Sequence, residues 1–397
     1  MSTTTTTTTR TEPPSTNSPS KPIPSTSRAW LLKAFNQPYE LCDIPTPTLD
    51  DPHDILIRVT AASYCHTDAL VAQGIVPPLP PLPHVGCHEY AGVVVALPEG
   101  QSVATHGFKV GDHVAVSGRG NHVCGDCLEC DDDSAVLPDA KGYSVYCPSS
   151  GAGLGVDRPG GFREYAVVDG RQVGRVPAGL KGVEVAPLMC AGLTIYTAIR
   201  KLNLTQGQRV AILGCGGGLG HLGLQFAAKM GLRVLGIDIT GRALELARSL
   251  DLPNNVQIVD GKDEKNGAEQ LRKAMGQEDG RKYFDQMGVD AAIILPESQK
   301  AFDLGCALTR NGGKIMVLSF PPEGFHFSAF DVVIRRLSVE GSLIGSNRAM
   351  EEMFEFCVQH GVRAKLTTYA FEDLNQLVED YHKGKPGKLV IDVGKGR

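Results

Sequence analysis

Four cysteines are spaced for a single metal ion. Cys124, Cys127 and Cys130 follow one another with two residues between each, and Cys147 comes after a gap of sixteen residues, the acidic stretch 131–146. Three thiolates so placed can wrap one ion, and a fourth closes a tetrahedral site. A four-thiolate site leaves no position for substrate, so its expected role is structural zinc. A second set is scattered along the chain: Cys65-His66-Thr67-Asp68, Gly86-Cys87-His88-Glu89 and Cys190. Two Cys and one His leave a fourth coordination position open, as catalytic zinc requires. Asp68 and Glu89 adjoin these ligands and are placed to orient them.

A third feature is the glycine-rich run Leu213-Gly214-Cys215-Gly216-Gly217-Gly218-Leu219-Gly220. It lies between a buried apolar strand, Arg209–Leu213, and a helical stretch reaching Met230. Glycines let a backbone turn tightly against a pyrophosphate, while the helix N-terminus offers amide donors. The turn is one residue longer than the usual G-x-G-x-x-G. Asp238 closes the next strand, eighteen positions after Gly220. A carboxylate there accepts hydrogen bonds from an adenosine ribose and repels a 2′-phosphate, which favours NAD(H) over NADP(H). Arg242 nearby would soften that choice.

These residues must be held by the elements around them. From Arg28 to about Cys190 the chain reads as short strands with Gly/Pro punctuation: Asp54–Ala61, Tyr90–Ala96 and His113–Ser117. From about Gly192 strands and helices alternate. Strands are expected at Arg209–Leu213, Arg233–Asp238, Gln257–Asp260, Ala291–Leu295 and Lys314–Leu318, with helices at Gly241–Leu250 and Ser298–Ala307. Such alternation predicts a doubly wound parallel sheet. Helices at Ala349–His360 and near Glu372–Lys383, then a strand Lys388–Val393, complete the chain. Residues 1–28, with a seven-Thr run and many prolines, are expected to be a disordered tail.

Composition narrows the classes. Lys+Arg 39 against Asp+Glu 44 gives −5, which argues against a nucleic-acid binder. No apolar run reaches the length of a membrane span. Eleven cysteines without an apolar signal segment point to reduced thiols, metal binding and a cytoplasmic location.

Together the motifs C-H-T-D at 65–68, G-x-H-E at 86–89, the cysteine cluster, L-M-C-A-G at 188–192 and the glycine turn resemble the zinc-containing alcohol dehydrogenases of the medium-chain dehydrogenase/reductase superfamily. The tetrameric microbial enzymes are the most similar. The resemblance runs from about Trp30 to Asp392. It implies an α/β fold: a GroES-like β-rich catalytic domain at 29–191 with a structural-zinc lobe at about 120–150, a Rossmann NAD-binding domain at 192–343, and a return to the catalytic domain at 344–397. It implies one catalytic and one structural zinc per chain, NAD, a small-molecule alcohol or carbonyl substrate, and a homo-oligomer, tetramer or dimer.

The resemblance also assigns roles. Cys65, His88 and Cys190 would ligate the catalytic zinc, with Glu89 the acidic neighbour able to approach it. Thr67 would receive the alcohol proton. His66 and Lys388 would supply cations near the cofactor pyrophosphate, Asp68 would pair with Lys388, and Thr194, Leu219 and Leu318 would line the nicotinamide. Departures are Leu70 in place of a proton-relay histidine, Lys388 in place of an arginine, a longer structural-zinc lobe, and a lone tryptophan, Trp30, outside the substrate region. With Arg119 placed near the pocket wall, these leave two other readings: a reductase of a bulkier carbonyl intermediate, and a non-catalytic zinc-stabilised NAD(H)-binding protein.

Overall fold

The computed structural model describes residues 22–98, 107–118, 121–131, 144–151, 153–263 and 267–394. Arg119, most of the acidic loop before Cys147 and most of the N-terminal tail lie outside the described residues.

The strand Asp54–Tyr64 is the centre of a seven-stranded sheet. It is rich in β-branched and small residues and is buried at nearly every position, because both of its faces are covered. Ile55, Ile57, Val59, Ala62 and Tyr64 enter one core. Ala61 packs with Ala186 and Val390 in another cluster. Across the sheet the order is Leu366–Ala370, Lys388–Asp392, Asp54–Tyr64, Glu89–Ala96, His113–Ser117 and Val173–Arg175. Tyr165–Asp169 pairs with the first half of Asp54–Tyr64, and Leu389–Asp392 with its second half. The strands Leu366–Ala370 and Lys388–Asp392 therefore complete a sheet built by the first half of the chain.

Six strands form a second sheet, ordered Val256–Asp260, Arg233–Asp238, Arg209–Leu213, Val289–Ile294, Thr309–Val317 and Ser338–Gly341. Every pair is parallel. The crossovers carry the helices Gly220–Lys229, Gly241–Arg248, Ala268–Glu278, Gln299–Leu308 and Ala329–Val333. All five residues of Arg209–Leu213 are buried, as a strand covered by helices on both sides must be. Strand order reverses between Arg209–Leu213 and Val289–Ile294, which opens a crevice at the carboxyl ends of these strands. The helix Asn347–His360 does not pack against the first sheet alone. Its Met350, Met353, Phe354 and Cys357 join a core shared with the helices Ala191–Lys201 and Gly220–Lys229.

One expectation is corrected at the N-terminus. Residues 26–28, taken with the disordered tail, begin the strand Thr26–Leu31, which pairs with Glu40–Pro45. Arg28 bonds Glu164 at 3.0 Å and Glu372 at 2.8 Å. Composition hides such a start, because its partners lie far along the chain. Among the described residues no single helix is long and apolar enough to cross a membrane.

Candidate active site

Three element ends converge below the crevice. Cys65 directly follows Asp54–Tyr64 and precedes the helix His66–Ala72. His88 directly precedes the strand Glu89–Ala96, and Cys190 the helix Ala191–Lys201. The ligand atoms of these three side chains lie within 4.8 Å of one another. The Sγ atoms of Cys65 and Cys190 are 3.9 Å apart. A tetrahedron with zinc–sulfur bonds of about 2.3 Å has an edge of about 3.8 Å, so the thiols already stand at ligand spacing.

His88 is buried, and its Nδ1 is 2.7 Å from Asp68 Oδ1. Its Nε2 is buried without a hydrogen-bond partner. An orphaned ring nitrogen is costly in an apolar interior. Facing two thiols, it fits a metal ligand. Burial depresses the imidazole pKa, but the Asp68 charge and hydrogen bond outweigh it and hold the group well above its usual value. The hydrogen bond from Cys190 draws the Cys65 thiol well below its usual range. The same bond, with burial, pushes Cys190 up. His88 is held by close packing: a Cβ on Gly118 would collide with its side chain. The preceding Cys87 is fully buried in a left-handed conformation, φ 80.

The expected pairing of Asp68 with Lys388 is corrected. Asp68 does not meet Lys388. Its Oδ2 accepts from the Cys65 amide at 2.8 Å while Oδ1 serves His88. Lys388 instead donates to Glu89 and, at 3.3 Å, to the Tyr64 carbonyl. The reason is register. Leu389 opposes Tyr64, so Lys388 stands at the end of the central strand, and Glu89 begins the strand on its other side. Burial pushes the Glu89 carboxyl up to about 7, against the pull of Lys388. Burial works against the Lys388 ammonium as well, but Glu89 outweighs it and keeps its pKa raised. The second Glu89 oxygen, Oε2, is buried without a donor.

The crevice holds two adjoining cavities of about 500 and 480 Å³ that share Cys65, His66, Gly217, Gly218 and Leu219. Thr67, Thr194, Asp238, Leu318 and Cys190 line the second, and Leu70, Arg242 and Lys388 the first. The turn fits a backbone-bound phosphate. Gly214 has φ +79, and a Cβ on Gly216 would collide with the Ala243 backbone. At Gly218 a Cβ would meet only the Lys388 stem, at 3.5 Å, so its cleft face is open to a ligand. Asp238 Oδ2 accepts from the Gly216 amide at 3.0 Å and Oδ1 from Ile239 at 2.8 Å. His66 and Arg242 line the cleft and have partners there. His66 Nδ1 lies 3.0 Å from Tyr381 Oη, and its Nε2 is 3.4 Å from Glu297. Arg242 donates to the Lys383 carbonyl at 3.1 Å. Trp30 is buried with its Nε1 bonded to Phe371 O at 2.8 Å, in the core of the first sheet.

The sulfurs of Cys124, Cys127, Cys130 and Cys147 also lie within 4.8 Å of one another. Cys147 donates to Cys124 Sγ at 3.5 Å, close to the edge expected for tetrahedral thiolates. Sequence reasoning missed Glu297 and Tyr381, which bracket His66. Neither carries a motif, and only the folded crevice joins them.

Residues 51–178 match the family described as the alcohol dehydrogenase GroES-like domain, and residues 218–359 the zinc-binding dehydrogenase family. An alcohol dehydrogenase of Geobacillus stearothermophilus is 32% identical over 369 residues, covering 92% of this chain and 99% of that one. One from Moraxella sp. (strain TAE123) is 31% identical with the same coverage. Among solved structures, the alcohol dehydrogenase of Aeropyrum pernix is 28% identical with a TM-score of 0.75, covering 92% of this chain and 99% of that one. An acetophenone reductase from Geotrichum candidum NBRC 4597, solved with NAD, shares the fold at a TM-score of 0.76 and 24% identity, covering 95% of this chain and 100% of that one.

A GroES-like sheet, a dinucleotide-type parallel sheet and a Cys-His-Cys set at their junction define a medium-chain oxidoreductase. Within that class the chain belongs to the zinc-containing alcohol dehydrogenase family. Neither the bulky-carbonyl reading nor the non-catalytic one is favoured by these relatives.

Proposed function

We propose that the enzyme interconverts a small-molecule alcohol and its aldehyde or ketone with NAD(H), holding one zinc ion on Cys65, His88 and Cys190 and a second on Cys124, Cys127, Cys130 and Cys147. The observation that carries this reading is His88 Nε2, buried without a partner beside two thiols at ligand spacing. When bound, zinc polarises the substrate oxygen as a Lewis acid and the dinucleotide carries the hydride. Asp68 fixes the His88 ring so that Nε2 faces inward. Thr67, on the cleft wall with Cys65 and Cys190, holds the proton of the substrate hydroxyl. Leu70 offers no acceptor, so that proton leaves through ordered water or through His66, which lines the same cleft. Gly216, Gly217, Gly218 and the start of the helix at Gly220 cradle the pyrophosphate. Asp238 binds the adenosine ribose and repels a 2′-phosphate. Thr194, Leu219 and Leu318 close around the nicotinamide end.

The units are 26–191, beginning with the strand Thr26–Leu31, then 192–343 and the returning 344–397. The partner is a second copy of the chain. Among the described residues, the edge strand Ser338–Gly341 pairs only with Thr309–Val317, and Phe327, Phe330, Val333 and Ile334 beside it are 53–68% exposed. Such an edge with such a patch calls for cover. The eleven unpaired cysteines support a reducing compartment, the cytoplasm. Metal analysis with an NADH-oxidation screen over aldehydes tests the whole reading. About two zinc ions per chain and turnover are expected. One ion, with the thiols of the 124–147 set freely reactive, would remove the second site.

A further inference from the structure

The glycine turn is tied to the catalytic sheet by a residue that the proposed chemistry does not use. His221 follows Gly220 on the cofactor helix and is fully buried. Its Nδ1 lies 2.9 Å from the Gly217 carbonyl oxygen. Its Nε2 accepts from the Lys365 amide at 3.1 Å. An amide N–H can only donate, so Nε2 carries the lone pair and the proton sits on Nδ1, donated to Gly217. The bridge needs a neutral ring. Burial supplies one, lowering the imidazole pKa to about 4.

One turn along the helix, Gln225 repeats the pattern. Its side chain donates to the Arg363 carbonyl at 2.9 Å and accepts from the Arg363 amide at 3.1 Å. The cofactor helix is thus stitched to the segment that leads into the strand Leu366–Ala370. The Lys365 carbonyl in turn accepts from the Lys388 amide at 2.8 Å. Lys388 pairs through its side chain with Glu89, the neighbour of His88. A continuous line of bonds therefore runs Gly217, His221, Lys365, Lys388, Glu89. It joins the cofactor turn to the surroundings of the proposed metal site without passing through Cys65, His88 or Cys190.

We propose that His221 is a positioning residue, whose neutral imidazole sets the Gly217–Gly218 turn against the Lys365–Lys388 layer and thereby sets affinity for the pyrophosphate of the dinucleotide. This rests on the NAD(H) reading above. The role is specific to one part of the ligand. A displaced turn weakens contacts to phosphates and leaves the adenosine subsite at Asp238 in place.

The test uses full-length, zinc-loaded protein and three probes titrated calorimetrically: NADH, ADP-ribose and adenosine. His221→Leu removes both ring bonds and keeps an apolar filling. His221→Gln keeps an oxygen able to accept from Lys365, and His221→Asn a nitrogen able to donate to Gly217. In His221→Leu, NADH and ADP-ribose should each bind about tenfold more weakly, the order expected for one lost hydrogen bond. Adenosine affinity should hold within about twofold, zinc content should be unchanged, and Gln and Asn should each recover part of the loss. If His221→Leu fails to fold, Gln and Asn carry the same comparison. NADH affinity unchanged in every folded variant overturns the role. So does an equal loss for adenosine and ADP-ribose, which would mark general loosening. Wild-type protein that binds neither NADH nor ADP-ribose removes the dinucleotide reading and this role with it.

Discussion

Cys65, His88 and Cys190 come from three distant points in the chain, each at an end of regular structure, whereas Cys124, Cys127, Cys130 and Cys147 fall within irregular segments close in sequence. The dispersed set exists only once the sheet and the following helices are in place. Its surroundings are finished without a metal: Asp68 holds His88, Lys388 neutralises Glu89, and strands fix their spacing. Among the described residues the local set has only a small core of its own. Val123, Cys130 and Cys147 are the buried residues of its cluster, and Cys124 is exposed. His122, just ahead of it, anchors to the sheet through Asp54 at 2.8 Å. One site is positioned by the fold and serves chemistry. On the proposed reading the other would be held by its own ion and would serve the loop around it, since metal binding in such modules is itself folding energy.

That contrast breaks most visibly under ligand removal. Cys190→Ala should lower kcat at least 10³-fold, because a Lewis acid contributes several kcal/mol of transition-state stabilisation, at about 1.4 kcal/mol per tenfold. The zinc count should fall by about one per chain with little change in melting temperature. A kcat within tenfold of wild type would show that these three residues do not hold the catalytic ion.

Thr67→Ala sharpens the same side of the comparison. It leaves every ligand in place and removes only the hydroxyl at the cleft wall. Proton-transfer assistance is typically worth about 10²–10⁴-fold, so turnover should fall by that order. NADH affinity and zinc content should hold. Thr67→Ser should restore most of the rate. Full activity in Thr67→Ala would give the proton to another acceptor.

Cys130→Ser should reverse the pattern seen with Cys190→Ala. Loss of a structural metal is among the few changes that cost roughly 4 kcal/mol or more, and each kcal/mol shifts the melting temperature by about 2–4 °C in a domain of this size. A drop on the order of 10 °C is expected, with kcat reduced by less than about threefold at 25 °C. An unchanged melting temperature would mean that the lobe holds its shape without an ion.

Much of this was legible in the residues. Metal ligands are few in type, and the 124–147 set has a tight spacing that could be read directly, whereas the dispersed set was assigned to Cys65, His88 and Cys190 through the family resemblance. The parallel sheet was readable because short strands alternate with helical stretches and the turn after the apolar strand Arg209–Leu213 is glycine-rich. Partner choice was not. Asp68 and Glu89 both adjoin a ligand, and only the antiparallel register of Lys388–Asp392 on Asp54–Tyr64 decides that Lys388 meets Glu89. His221 was invisible for another reason: on an apolar helix a lone histidine reads as packing, and its partners Gly217 and Lys365 are backbone atoms. The edge strand Ser338–Gly341 was too short and too exposed to show a period.

The smallest predicted effect lies where the chain departs from its family, at Leu70. This residue is half-buried on the wall of the first cavity, with His66, Gly218 and Tyr381. A hydroxyl proton held at Thr67 must travel outward past this wall. Leucine cannot accept it, and on the proposed reading with ordered water as the carrier the oxidation rate should rise with pH as hydroxide becomes available. A histidine here would titrate near pH 6.5 and would be largely unprotonated at neutral pH, ready to accept. Leu70→His should therefore raise the oxidation rate at neutral pH by a few-fold, well below the full range of about 10²–10⁴ for proton-transfer assistance, because water already serves. It should also flatten the pH–rate profile above about pH 7. The readout is kcat for alcohol oxidation from pH 6 to 10, paired with the rate using a carbinol-deuterated alcohol. If neither kcat nor the profile changes while deuteration slows turnover, hydride transfer limits the rate and the missing relay carries no cost. If neither changes and deuteration has no effect, NADH release is the slow step, and the cofactor turn rather than the proton path governs the speed of the enzyme.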